Sequence, residues 1–306
     1  MSDRRRAGVV LLPTLACLCI ALGACGSSGA PRDPRSPLPA PEVALSTPDR
    51  ALWARGEPRR DAVPVLVYRR VVPSAFARQM ALLDHAGYDT VSLEDFVRFV
   101  RREAVSLPPR PMLLTLDGGR VDTWTATDSV LRDRGFTAAV FIDVERVEAE
   151  DPAYLGYGEL SRLEESGRWD VQLQSGTGYR RIQYGPAPGD VGPFYAYRGS
   201  KEVLGGWRER VFSDVTYGED QLRHHVRGYR PLAFAPPYGN YGQAGTNDRR
   251  IPRLMLERLE LSFAAVFTQD RDAFAIPGAR NPLGRFEMTP RGSEAELHAW
   301  LERGPT

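Results

Sequence analysis

The chain has 306 residues, 42% hydrophobic and 26% charged, with 40 basic against 39 acidic side chains. That composition excludes a disordered or collagen-like chain and a polytopic membrane protein, and the near-neutral balance carries no nucleic-acid footprint. Three Cys and four His argue against a zinc finger, a disulfide scaffold or a histidine-rich centre. At the N-terminus, Arg4, Arg5 and Arg6 precede an apolar stretch from Ala7 to Ala24, broken at Pro13. A basic head, a short apolar run and small residues before a boundary form a secretory signal. The run barely reaches spanning length, so a transmembrane anchor is the alternative.

The end of that run, Leu22-Gly23-Ala24-Cys25, resembles the lipobox of bacterial lipoproteins. The resemblance implies a signal peptide over residues 1–24, a lipid on Cys25, and an exported protein anchored to the outer face of the cytoplasmic membrane. Cys17 and Cys19 leave with the signal, so no internal disulfide is possible in the mature chain. Residues 25–61 contain Gly-Ser-Ser-Gly and then Pro31, Pro34, Pro37, Pro39, Pro41 and Pro48, without apolar periodicity. This reads as a semi-extended tether, with the folded domain over residues 62–303.

Val63-Pro-Val-Leu-Val-Tyr68 is a continuous apolar run, the form of a strand covered on both faces. Phe76, Met80 and Leu83 follow at helical spacing before Gly87, and Ser92 with Asp95 starts a helix carrying Phe96, Phe99 and Val100. Strands are predicted over 112–117, 137–142, 169–174, 232–234 and 263–268, with helices over about 122–134, 159–166 and 248–259 between them. Such alternation predicts an α/β fold with a parallel sheet and outer helices, and about seven repeats predict a barrel. In barrels the chemistry sits at the carboxyl ends of the strands, here Asp117, Gln174, Ala235-Pro-Pro-Tyr238 and Thr268.

Four segments in order resemble the polysaccharide deacetylases, the NodB-homology family also called carbohydrate esterase family 4. They are Val63-Pro-Val-Leu-Val-Tyr-Arg-Arg70, Leu113-Leu-Thr-Leu-Asp-Gly-Gly119, Trp169-Asp-Val-Gln-Leu-Gln-Ser-Gly-Thr-Gly-Tyr179 and Phe234-Ala-Pro-Pro-Tyr-Gly239. The resemblance implies a distorted (β/α)7 barrel in a single domain. It also implies a divalent metal, usually zinc, on one Asp and two His, a separate Asp as general base, and hydrolysis of an acetamide to an amino sugar and acetate.

By this resemblance Asp117 occupies the general-base position. The metal Asp falls on Gly118, the first metal His on Gln174, and the second on Tyr179 or Gly178; the opening His falls on Arg69 and the base-orienting Arg on Ala235. Amide and phenol oxygens are poor zinc ligands beside imidazole, so no metal and no other cofactor is expected. Of the four histidines, His85 and His298 are expected on outer helix faces. His224 and His225 point about 100° apart on a helix, which disfavours a shared metal.

A groove lined by Tyr68, Asp117, Trp124, Tyr179, Tyr184, Phe194, Tyr195, Tyr197 and Tyr238 suits a sugar ring, and Tyr68, Trp124, Tyr195 and Tyr238 are the expected sugar-binding residues. Packing within the core or loops is the alternative for these aromatics. The segment Ile182 to Arg198 reads as an inserted loop over the strand ends, with Tyr197-Arg198 and Arg280 as candidate anion binders. Two functions follow. One is a cell-surface pseudo-deacetylase that binds or scaffolds an envelope polysaccharide or peptidoglycan-type glycan; the other is an active hydrolase of envelope glycans through Asp117 with an unrecognised metal set or none. Asp122, Glu219 and Asp220 are the candidate second carboxylates, and a glycosidase on the same barrel is a third option.

Overall fold

Residues 33–290 and 292–305 are described by a computed structural model, so Cys25 and the expected signal segment lie outside the described residues. Residues 35–306 fall in one compact unit. The expected tether is therefore corrected over its described part: it is a strap bound along the domain. Arg35 Nε donates to Glu159 Oε1 at 2.7 Å, and the Leu38 N–H donates to the Thr125 carbonyl at 2.7 Å. Ala40, Val43 and Leu45 pack on the core. Ser46 and Asp49 cap helix α1 (Thr47–Leu52), and Trp53 beyond it is only 3% exposed, edge-on to His298. Strap contacts are long-range and carry no period, which is why the composition alone resembled a tether.

Burial on both faces makes β1 (Val63–Tyr68) a core strand, and α2 (Pro73–His85) lays Phe76, Met80 and Leu83 on it. The short β2 (Tyr88–Thr90) leads to α3 (Leu93–Val100), where the Ser92 hydroxyl accepts the Asp95 N–H at 3.1 Å. Next come β3 (Arg110–Asp117), buried throughout, and α4 (Val121–Arg134), stopped by Gly135 in the left-handed conformation. Then follow β4 (Ala138–Asp143), the short α5 (Val144–Glu148), α6 (Tyr157–Glu165) and β5 (Trp169–Ser175).

The predicted inserted loop contains an antiparallel hairpin, β6 (Arg181–Gln183) with β7 (Val191–Pro193). After it runs α7 (Leu204–His225), the longest helix described, which buries Trp207, Val211, Val215 and Leu222. The chain completes with β8 (Ala233–Phe234), α8 (Ile251–Glu260), β9 (Ala265–Thr268), β10 (Phe274–Ala275), β11 (Leu283–Gly284), β12 (Phe286–Met288) and α9 (Glu294–Arg303).

Pairing is parallel in the order β1, β3, β4, β5, β8, β9, β11, and β12 returns to pair with β1 in parallel. β11 and β12 are one run of chain broken at Arg285, so a seventh, split strand joins β9 to β1. The result is a distorted (β/α)7 barrel, and two core clusters, inside the barrel and under the helices, hold it together. Asp117, Asp143 and Ser175 end three adjacent strands and face the same rim.

Candidate functional site

The β3 terminus needs two glycines. Gly118 and Gly119 have φ of +99° and +61°, and a Cβ at Gly119 would lie 2.7 Å from Ile142 Cδ1. The Gly118 N–H donates to the Phe141 carbonyl at 2.8 Å, and the Gly119 carbonyl accepts from Leu155 at 2.9 Å. This turn leaves Asp117 on the rim of a cavity of about 340 Å³, lined among others by Arg69, Arg70, Asp143, Gln174, Tyr179 and Glu287. Gly118, Arg120, Arg146 and Tyr154 also line its wall.

Asp117 does not stand free. Arg285 donates from Nη1 to Oδ1 at 2.7 Å and from Nη2 to Oδ2 at 2.9 Å. The Arg285 side chain is wholly buried, with its guanidinium 5.3 Å from the Phe141 ring centre and 5.7 Å from that of Phe267. Nη1 also donates to Thr115 Oγ1 at 3.3 Å. Gln269, with its amide oxygen turned to the guanidinium groups, accepts from Arg69 at 3.2 Å and from Arg285 at 3.0 Å. Arg285 thus anchors Asp117 from another part of the chain, while position 235 is Ala. No local pattern around Asn281–Met288 marks it.

Asp143 is a further carboxylate of the cavity, beside Asp117 and Glu287, and sequence reasoning missed it. The rule that selected Asp117, an acid ending an apolar strand, also fits Thr137-Ala-Ala-Val-Phe-Ile-Asp143. Burial is the main cause that pushes its carboxyl up to about 7; the Ser175 hydroxyl, donating to Oδ1 at 2.9 Å, partly opposes this. Arg146 lies 3.7 Å from Oδ2.

The expected second carboxylates lie elsewhere. Asp122 is exposed and bound by Arg120, Glu219 pairs with Arg223 on α7, and Asp220 is exposed near the same arginine.

Of the expected metal positions, Gly118, Gln174 and Tyr179 come together in the cavity. Their chemistry does not fit zinc. Gly118 has no side chain, and although a Cβ there would meet nothing within 4 Å, its φ of +99° is one that L-residues rarely adopt. Gln174 is 2% exposed, and its Oε1 has no hydrogen-bond partner. Burial raises the Tyr179 phenol, keeping it neutral and a weak donor at neutral pH. Among the described residues no group of three or more His, Cys, Asp and Glu is placed to hold a metal ion.

None of the histidines lines the cavity. His85 and His298, expected as solvated, are half-buried, and their Nε2 atoms bond the Arg50 and Leu52 carbonyls of α1. His224 and His225 are exposed, and His225 stacks on Tyr157.

Most of the expected sugar-binding aromatics are corrected. Tyr68 is buried, donates to Gln79 Oε1 at 2.8 Å and packs edge-on to Phe76. Tyr195 is fully buried, and its hydroxyl donates to Asp214, which also accepts from Thr177 and fixes the loop after β5. Trp124 is half-buried and lines, with Leu116, Leu155 and Trp169, a small neighbouring pocket that shares Asp117 and Arg120 with the cavity. Phe194 is buried, and Tyr184 stacks on Tyr197.

Tyr238 keeps a position by the cavity: it is 38% exposed, with its ring 5.1 Å from that of Tyr179 and 5.4 Å from the Arg181 guanidinium. Its φ of +60° is unusual for a bulky side chain. The aromatic that lines the cavity unannounced is Tyr154, 5.7 Å from Arg146. The expected anion binder Arg198 is paired with Asp248 and donates to the Glu202 carbonyl, and Arg280 is exposed outside the cavity.

Solved structures share this architecture. A de-N-acetylase from Aggregatibacter actinomycetemcomitans superposes with a TM-score of 0.69 at 15% identity, covering 78% of this chain and 100% of that one. IcaB from Ammonifex degensii gives 0.62 at 21%, covering 81% and 98%. The BpsB deacetylase domain from Bordetella bronchiseptica gives 0.63 at 18%, covering 76% and 98%. The chain has the polysaccharide-deacetylase fold. No family model matches the sequence, and no curated protein matches it significantly. On this fold the strand-end cavity around Asp117 is lined by arginines and by none of the four histidines.

Proposed function

We propose that this protein is a deacetylase-fold protein of the bacterial cell surface that binds or scaffolds an envelope polysaccharide, with metal-dependent deacetylation impaired. One observation carries the reading: the cavity brings Gly118, Gln174 and Tyr179 together at the expected metal positions, beside an Asp117 whose two oxygens are both taken by Arg285. The likeness to a de-N-acetylase and to a deacetylase domain supports a glycan as the ligand. Tyr179 and Tyr238, a tilted pair of rings, supply aromatic faces for a sugar ring. Lipidation at Cys25 would place this cavity at the outer face of the cytoplasmic membrane.

The test measures zinc content, acetate release from N-acetylated glycans and glycan binding on one preparation of the full-length protein in detergent. Binding without stoichiometric zinc and without acetate is the expected result. Stoichiometric zinc with acetate release that Asp117→Asn abolishes would overturn the reading. Metabolic labelling with a fatty acid, lost in Cys25→Ser, tests the anchor.

A second reading, a hydrolase of envelope glycans that works without the family's ligand set, is favoured by Asp143. A carboxyl held near neutrality in the same cavity as Asp117 suits a proton donor. Release of new reducing ends or of acetate, lost in Asp143→Asn, would select it.

A further inference from the structure

The cavity beside Asp117 carries more positive charge than its own ion pairs use. Arg69, Arg70, Arg120 and Arg146 line it against Asp117, Asp143 and Glu287, and Arg285 stands behind Asp117. Arg285 is committed to Asp117, and Arg120 is committed outward, to Asp122 at 2.8 and 2.6 Å. Of the remaining three, Arg69 also donates to Gln269 at 3.2 Å, and none is held in a close ion pair. Arg69 is 3.9 Å from Asp117 and 3.5 Å from Glu287, and Arg146 is 3.7 Å from Asp143. These are ion-pair distances beyond good hydrogen-bond length. Arg70 is exposed and makes no ion pair or hydrogen bond among the described residues. A guanidinium is a planar fork that matches a carboxylate or phosphate in two parallel bonds.

A second feature calls for a donor. Gln174 Oε1 is buried at the cavity without a hydrogen-bond partner, and a buried acceptor left empty costs free energy that a ligand hydroxyl recovers. A third is the tilted Tyr179–Tyr238 pair, a surface for the apolar face of a pyranose. Arginine forks, an unfilled acceptor and an aromatic face together describe an acidic sugar. A neutral unit leaves the forks unmatched, and a free amino sugar adds a like charge to them.

We propose that the cavity takes an anionic sugar unit of a glycan, its carboxylate or phosphate held by Arg69, Arg70 and Arg146 and a hydroxyl donated to Gln174 Oε1. This rests on the glycan-binding reading and names the class of glycan.

The experiment is calorimetric titration of the full-length protein in detergent with four probes: a uronic-acid oligosaccharide, a sugar phosphate, a neutral N-acetylglucosamine oligomer and its deacetylated form. Binding of a uronate or phosphate probe about tenfold or more tighter than the neutral one is expected, weakening as salt rises from about 50 to about 300 mM. Which anionic probe wins assigns the headgroup. Arg70→Ala and Arg146→Ala each weaken the anionic probe about tenfold and leave the melting temperature unchanged, since neither guanidinium has a hydrogen-bond partner to lose. Equal affinity for neutral and anionic probes, unmoved by both variants, overturns the charge selectivity while glycan binding stands. Failure of all four probes overturns the glycan-binding reading as well.

Discussion

Arg285 holds both carboxylate oxygens of Asp117 across 168 residues of chain, inside a barrel where the two side chains are 0% and 5% exposed. Each oxygen of Asp117 keeps a free lone pair toward the cavity, but the carboxylate cannot turn without breaking a charge-assisted bond.

Loss of one partner leaves an uncompensated buried charge. Arg285→Met is expected to lower stability by about 3–5 kcal/mol, read as a shift of the urea midpoint, whereas Asp117→Leu combined with Arg285→Met recovers most of that loss. Additive losses in the double variant would mean that the two side chains are not coupled.

Asp143 makes stability depend on pH in a definite direction. Its carboxyl is pushed up from 3.8 to about 7 by burial, so the folded chain keeps a proton that the unfolded chain releases. That contribution is present at low pH and is lost as pH rises through about 7. Glu164 is pushed to about 7 and Asp170 is raised by burial too, so the wild-type curve alone does not isolate Asp143. The comparison with Asp143→Asn does: the variant gains on the wild type in melting temperature between about pH 4 and about pH 7 and no further above that. Parallel curves would remove the assignment.

Trp53 separates the strap from a tether. Its indole is 3% exposed and lies edge-on to His298 at 4.9 Å between ring centres. Trp53→Ala is expected to cost about 3–5 kcal/mol by chemical denaturation, a value typical of a large core truncation. A tether residue would cost nothing measurable.

Tyr238 sits in the left-handed region, with φ 60° and ψ 12°, and is exposed. A non-glycine residue there loses about 1–2 kcal/mol. Tyr238→Gly is therefore expected to raise stability by about 1 kcal/mol and to weaken glycan binding by titration. A variant that loses stability while binding as before would assign Tyr238 to packing.

Local chemistry made the barrel legible. Runs such as Met112-Leu-Leu-Thr-Leu-Asp117 and Trp169-Asp-Val-Gln-Leu-Gln174 became β3 and β5 because a strand buried on both faces must be apolar throughout. Gly135 ended α4 because only a residue without Cβ takes the left-handed stop cheaply. The rim position of Asp117 followed from its place at a strand end. Helix α7 was harder to read: its polar residues outnumber a sparse apolar stripe, and Gly205 and Gly206 weaken its start.

Sequence by itself determined the first six barrel strands in order, the helices between most of them, and the strand-end acid Asp117, because these are set by neighbours along the chain. Tertiary structure alone decided which side chains meet there. Arg285 reaches Asp117 because a split seventh strand closes the barrel, and Arg70 and Arg146 share a cavity with Gln174 because β1, β4 and β5 end on one rim. It also withdrew Tyr68 and Tyr195 into the core, where each hydroxyl finds a buried partner, and bound the strap to the surface. Contacts between distant parts of the chain leave no period in the sequence, so the electrostatics of the cavity appear only when the barrel closes.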